Sequence, residues 1–215
     1  MWKTYDVELH FNSPFAASVP RHPKDIRAML KNRAPSKPPP NAVPLPELAE
    51  LIESEVDIDE EVERGEATFK RDEEGLYFEA RCVKAHIKNC AEVLRVYLDI
   101  KALKPKIANR VYVLPVEKIY VDRKVGDNWE RVKEPDGNEV RYIHVIGPRG
   151  PQNTLKGIDY ILNARIIFQL EVLEDNIVGK KLLESLFDYG RVHGMGQERS
   201  QGWGRYTVAR LEEAM

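Results

Sequence analysis

The stretch Gly190-Arg191-Val192-His193-Gly194-Met195-Gly196-Gln197-Glu198-Arg199-Ser200-Gln201-Gly202-Trp203-Gly204 places five glycines within fifteen residues. Glycine admits positive φ and lets another backbone approach closely. Successive exposed N–H groups in such a loop form a concavity for an anion, and Arg199 adds a planar fork of donors that matches a phosphate. The stretch is not a P-loop. It lacks the Gly-Lys-Ser/Thr ending and follows a helical pattern instead of opening one, and the dinucleotide-binding fingerprint fails for the same reason. The competing reading is a purely structural loop, in which the glycines permit a tight crossing and Arg199 pairs with Glu198 or Asp188.

Other residues could extend an anion site into a track for single-stranded nucleic acid, which needs positive charge and flat groups for stacking. Lys84, His86 and Lys88 fall near the start of one helical segment, and Lys101, Lys104 and Lys106 follow it. Tyr112, Tyr120, Trp129, Tyr142 and Trp203 could stack, although Tyr112 and Trp203 read as core side chains. Histidine is the usual general acid or base near neutral pH. The five histidines are scattered at 10, 22, 86, 144 and 193, and His193 and His22 are the candidates for catalysis. Asp57-Ile58-Asp59-Glu60-Glu61 clusters carboxylates but reads as a solvated face, and no Cys/His spacing suggests zinc, so no metal and no cofactor is expected. Cys82 and Cys90 stand two helical turns apart, roughly 12 Å, too far for a disulfide. Reduced thiols in the cytoplasm follow.

The 215 residues carry 33 Lys and Arg against 35 Asp and Glu, a net charge of −2 that by itself argues against a dedicated nucleic-acid binder. The distribution says more. Residues 47–79 have 14 acids against 3 bases, whereas residues 80–168 have 17 bases against 10 acids. One acidic segment masks a basic remainder, an asymmetry that points to a polyanionic partner. No apolar run is long enough to span a bilayer, and the N-terminus does not read as a signal peptide.

Those groups need elements to hold them. Residues 4–12 alternate, with Tyr5, Val7, Leu9 and Phe11 on one face, and end at the turn cluster Asn12-Ser13-Pro14. A short helix over 23–32, a linker with six prolines over 34–46 and an amphipathic acidic stretch over 46–63 follow. Residues 34–63 are expected to be the least ordered part of the chain. Residues 67–80 read as a hairpin and 82–98 as the clearest helix. A β-ribbon is expected over 110–146, broken at Pro148-Arg149-Gly150-Pro151. Residues 164–173 alternate again. A helix capped by Asn176 should run to Gly190, and a strand over 205–211 closes the chain. Without the insertions the order is β-α-β-β-α-β, an α+β ferredoxin-like (RRM-like) core of four antiparallel strands with two helices on one face. The expected organisation is a single domain over 1–215, with core segments 1–12, 80–115 and 161–215. Insertion 13–79 is proline-rich and acidic, and insertion 116–160 is a β-ribbon.

Three pieces resemble the RAMP superfamily, RNA-binding proteins of CRISPR systems. Gly194-Met195-Gly196-Gln197-Glu198-Arg199-Ser200-Gln201-Gly202-Trp203-Gly204 matches every fixed position of that family's glycine-rich loop, G-x-G-x-x-R-S-x-G-[aromatic]-G. Val7 to Pro14 is similar to its first strand and the Ser-Pro turn after it. Ile87-Lys88-Asn89 stands where backbone-type members have Leu-Lys-Gly at a helix start, and the glycine is absent. Small proteins of phages and prophages share the N- and C-terminal signatures. The resemblance covers about half the chain.

It implies a sheet-plus-loop surface that binds single-stranded RNA or a neighbouring subunit of a homo-oligomer or larger complex. Gly194, Gly196, Arg199, Ser200, Gly202, Gly204, Lys84, His86 and Lys88 are the residues expected to contact nucleic acid. An RNA-binding or assembly protein is the leading reading. The alternatives are a metal-independent endoribonuclease on the same fold and a phage structural or host-interaction protein. No membrane partner is expected.

Overall fold

In strand β1 (Trp2–Phe11) every second side chain from Tyr5 onward is buried and the intervening ones face outward. This is the period-2 pattern of a strand with one wet face. Burying each such large apolar side chain contributes about 1.5–3 kcal/mol, which pins the register of the whole sheet. The computed structural model describes residues 1–16, 19–20, 64–147 and 150–214. After β1 come β2 (Phe15–Ala16), β3 (Val19–Pro20), β4 (Arg64–Thr68), β5 (Lys70–Arg71) and β6 (Leu76–Glu79). Helices α1 (Ala80–Tyr97) and α2 (Leu103–Arg110) precede β7 (Val111–Leu114), β8 (Lys118–Val125) and β9 (Asn128–Arg131). The chain closes with β10 (Gly137–Gly147), β11 (Gly150–Ile161), β12 (Ala164–Leu173), α3 (Lys180–His193) and β13 (Tyr206–Glu213).

The fold is α+β and ferredoxin-like. β1 lies between β12 and β13, antiparallel to both, and β7 pairs with the far side of β12. The order β13-β1-β12-β7 is the four-stranded core expected from the β-α-β-β-α-β succession. The sequence reading undercounted the sheet, because β8, β9, β6 and β5 extend it to eight strands. β8 pairs with β12 at Ala164–Ile166, just past the end of β7, so one long strand serves two short neighbours. α1 and α3 pack on one face through Val83, Ile87, Leu183, Leu186 and Phe187. No helix among the described residues packs on the other face.

Residues 110–146 do not form a free ribbon. β7, β8 and β9 belong to the main sheet, and the ribbon is β10 with β11, in register from Gly137 opposite Tyr160 to Gly147 opposite Gly150. The prolines at 148 and 151 were read as a break, but Pro151 lies at the start of β11 opposite Ile146. This ribbon joins β4, β3 and β2 in a second, five-stranded sheet. The expected 67–80 hairpin shrinks to β5 and β6, with Thr68 in the second sheet. The basic segment 101–110 contains helix α2, with Pro105 in the first turn, where no amide is needed. Asn176 caps nothing. The side chain of Asp175 accepts the amides of Ile177 and Val178, and α3 starts after Gly179. Gly190 does not end α3, which runs on to His193. The expected elements at 23–32, 34–46 and 46–63 lie outside the described residues. No described helix is long and apolar enough to cross a membrane.

Candidate functional site

The glycine-rich loop joins α3 to β13 and closes on itself. Met195 donates its amide to the Gly204 carbonyl, and Gly204 donates to the Pro14 carbonyl. Arg205 donates its amide to the Ser13 hydroxyl, and Asn12 donates to the Arg205 carbonyl. The Asn12-Ser13-Pro14 turn and the glycine stretch, far apart in sequence, are thus two halves of one clasp. Gly204, at φ +70°, lies against the Met195 backbone so closely that a Cβ would land on that carbonyl oxygen. A Cβ on Gly196 would stand 2.5 Å from the Ala16 carbonyl oxygen.

This closure corrects the expectation of a row of exposed amides. Those of Gly194, Met195, Gln201, Gly202, Trp203, Gly204 and Arg205 all have partners within the protein. The amides of Gly196, Gln197 and Glu198 have none among the described residues. They border an open cleft of about 480 Å³ lined by Lys156, His193, Gly196, Gln197, Glu198, Arg199 and Ser200. The Gln197 Oε1 atom is buried without a partner among the described residues.

Arg199 lies in this cleft and pairs with neither expected carboxylate. Asp188 holds Arg191 at 2.7 Å, and Glu198 bridges to Arg141 at 3.1 Å and Lys156 at 3.2 Å. The Arg199 guanidinium donates instead to His193 Nε2 at 2.9 Å. Among the described residues it faces no carboxylate. The donation requires a lone pair on His193 Nε2, so this imidazole is neutral with its proton on Nδ1. Burial, then the charge on Arg199, lowers the His193 pKa accordingly. A base whose lone pair is already engaged is poorly placed for proton abstraction. His22, the other catalytic candidate, lies outside the described residues.

Behind the cleft sits a buried cluster. The His193 ring stacks on Tyr189, with centroids 5.5 Å apart, and on His86 at 6.2 Å. His86 Nε2 lies 2.9 Å from the Tyr206 hydroxyl and 3.7 Å from Cys90 Sγ. A Cβ on Gly190 would collide with both Tyr206 and His86, which is why glycine occupies a mid-helix position there. His86 is only 4% exposed. It was expected at the start of a helix and on the nucleic-acid surface, and it is instead inside α1 and the core. Burial, helped by His193 and Arg199, lowers its pKa to about 3.

Lys84 also leaves the expected set. Its ammonium donates to the Ile107 carbonyl at 3.0 Å and to that of Val111, capping the end of α2. Burial, then Lys88, lowers its pKa to about 8. Lys88 is half-buried on α1 and remains a candidate, and Lys104 approaches Glu92 at 3.8 Å. Trp203 is 9% exposed and packs with Tyr160, Ile158 and Ala16, as its reading as a core residue requires. Tyr112 is not core. It is 46% exposed, against Trp2 and beneath the Lys84 ammonium. The side chains of Tyr142 and His144 lie outside the described residues.

Sequence reasoning missed the ion pairs of Arg141 and Lys156 with Glu198, which tie the ribbon to the loop. Glu198 stands inside the glycine motif, but its partners lie 57 and 42 residues away and belong to a ribbon whose second strand was not foreseen.

No family model matches the chain, and no curated protein matches its sequence. Among solved structures, it is similar to a chain in a cryo-EM structure of the Type III-B Cmr-beta bound to cognate target RNA. The TM-score is 0.53 at 13% identity. The match covers 99% of this chain and 60% of that one, so the likeness is one of fold and extends over part of the larger chain.

Proposed function

We propose that this chain is a RAMP-type subunit that binds single-stranded RNA within a multi-subunit assembly, with the Arg199 cleft as its phosphate contact. One observation carries the reading: Arg199 is half-buried, held in place by His193, and faces no carboxylate among the described residues. A guanidinium fixed in this way, beside three amides without partners among the described residues, suits a phosphodiester oxygen. The glycine motif that resembles the RAMP loop and the solved fold neighbour in an RNA-bound complex support the same class of partner. On this reading Gly196, Arg199 and Ser200 remain contact residues, while Gly194, Gly202 and Gly204, whose amides are bonded within the protein, act as scaffold.

Arg199→Ala tests this. Filter binding of labelled single-stranded RNA over a salt series should show a loss of about 1–2 kcal/mol. The salt slope should flatten by about 0.7, one contact's worth on a single strand. Unchanged affinity with a lowered melting temperature would make Arg199 scaffolding and end the proposal.

A further inference from the structure

The helical side of the sheet carries a feature that the clasp does not use. α1 and α3 pack antiparallel, with Gly190 near the end of α3 against His86 in the first half of α1. Between their outer surfaces runs an open groove of about 750 Å³. Leu94 lines it from α1, and Ser185, Asp188, Tyr189 and Val192 line it from α3. An apolar ridge stands beside the groove. Val93, Val96 and Tyr97 recur at three- and four-residue spacing on α1, so they share one face of the helix. They are 39%, 74% and 80% exposed, and Val192 across the groove is 56% exposed. Single exposed apolar side chains are ordinary, but a contiguous ridge beside a groove marks a contact surface.

The occupant that fits is a second copy of this chain. Ridge and groove lie on one surface, and a two-fold contact requires each copy to offer both halves. Val93, Val96, Tyr97 and Val192 together expose roughly 400 Å² of apolar area, about half of what one partner contributes to a stable interface. The charges match under the same rotation. Asp188 is already neutralised by Arg191 at 2.7 Å. Lys181 and Glu184 are exposed, one turn apart on α3, and make no ion pair among the described residues. Two-fold rotation brings Lys181 of each copy towards Glu184 of the other. A foreign helix would have to carry an acid and a base at matching positions, whereas a second copy supplies both. The groove has no excess of positive charge, which disfavours a polyanion there.

We infer that the α1–α3 face is a two-fold interface between two copies of this chain, each seating its Val96–Tyr97 ridge in the other's groove. The interface goes beyond the reading of the Arg199 cleft and does not depend on it. It needs no nucleic acid, and it uses the helical side of the sheet instead of the sheet-and-loop surface.

Sedimentation equilibrium of the full chain without RNA, over roughly 1–100 μM, should show monomer and dimer in exchange. Tyr97→Asp should raise the dissociation constant about thirtyfold, the effect of losing a buried aromatic anchor. Lys181→Glu and Glu184→Lys should each weaken self-association by setting like charges across the axis. Mixing those two variants should restore association as a heterodimer, because each reversed charge then faces its complement. All three positions are exposed, so circular dichroism should report wild-type folding in every variant. A monomer at every concentration overturns the inference, and so does a dimer that none of the variants weakens. Failure of the mixed variants to associate overturns it as well, since something other than a second copy then fills the groove. A monomer that binds RNA through Arg199 keeps the cleft and discards this interface, and a dimer that binds no RNA does the reverse.

Discussion

Gly126, in the β8–β9 turn, sits at φ +60° with nothing within 4 Å of where a Cβ would stand. Gly204, in the loop from α3 to β13, sits at φ +70° with the Met195 backbone filling that space. Both turns adjoin a residue that the sequence offers as an RNA contact, Trp129 for stacking and Arg199 for phosphate. The first is held by its own hairpin, and its glycine meets only the local demand of the turn. The second is held from outside, by the Ser13-Pro14 turn and by Glu198 reaching Arg141 and Lys156. Similar dihedral angles thus conceal different dependence on the rest of the molecule.

Substitution at the two glycines should expose that difference most strongly. Gly204→Ala has to displace backbone as well as adopt an unfavourable φ, so a loss above about 4 kcal/mol is expected, in the range that marks a broken structural device. Thermal denaturation checks it, and a melting temperature near wild type would mean that the clasp is not closed in solution. Gly126→Ala meets only the left-handed penalty of roughly 1–2 kcal/mol, and Gly126→Asn should recover part of it.

Acid should act on the clasp through its two buried histidines. His86 has a pKa lowered from 6.5 to about 3, and His193 is also lowered, burial being the leading cause for each. The unfolded chain binds these protons first as pH falls. The stability associated with neutral His86 is therefore complete above pH 6.5 and declines progressively as pH drops towards about 3. Melting temperature should fall between pH 6.5 and 4, and His86→Gln should flatten that decline relative to wild type. Asp72 is held down to about 2, chiefly by the Lys118 ammonium with help from the Tyr120 hydroxyl, so it keeps its charge through this range. An equal acid slope in His86→Gln and wild type would remove His86 from this account.

The sequence by itself determined whatever depends on local period and local conformation. β1 and β12 could be read from alternation, because one wet face forces every second residue to be apolar. The helical stripe of Val83, Ile87, Cys90 and Ala91 fixed α1 for the same reason, and the crowded glycines marked a place where backbone meets backbone. Tertiary structure alone decided which backbone that is. Nothing near residue 204 specifies residues 13 and 14 as the partner, since the contact arises when β13 pairs with β1. It also decided the fate of the polar candidates. Lys84, His86 and Lys88 share one short stretch of α1, yet the helix turns His86 into the core, sends Lys84 to the end of α2 and leaves Lys88 near the surface. Strand β11 escaped notice because Gly150, Pro151 and Gly157 argue against a strand, and only pairing with β10 and β4 outweighs them. Arg199 was visible as a candidate from its type and setting. That it faces no carboxylate among the described residues was not, because Glu198 is drawn away by a ribbon that long-range strand pairing alone brings to the loop.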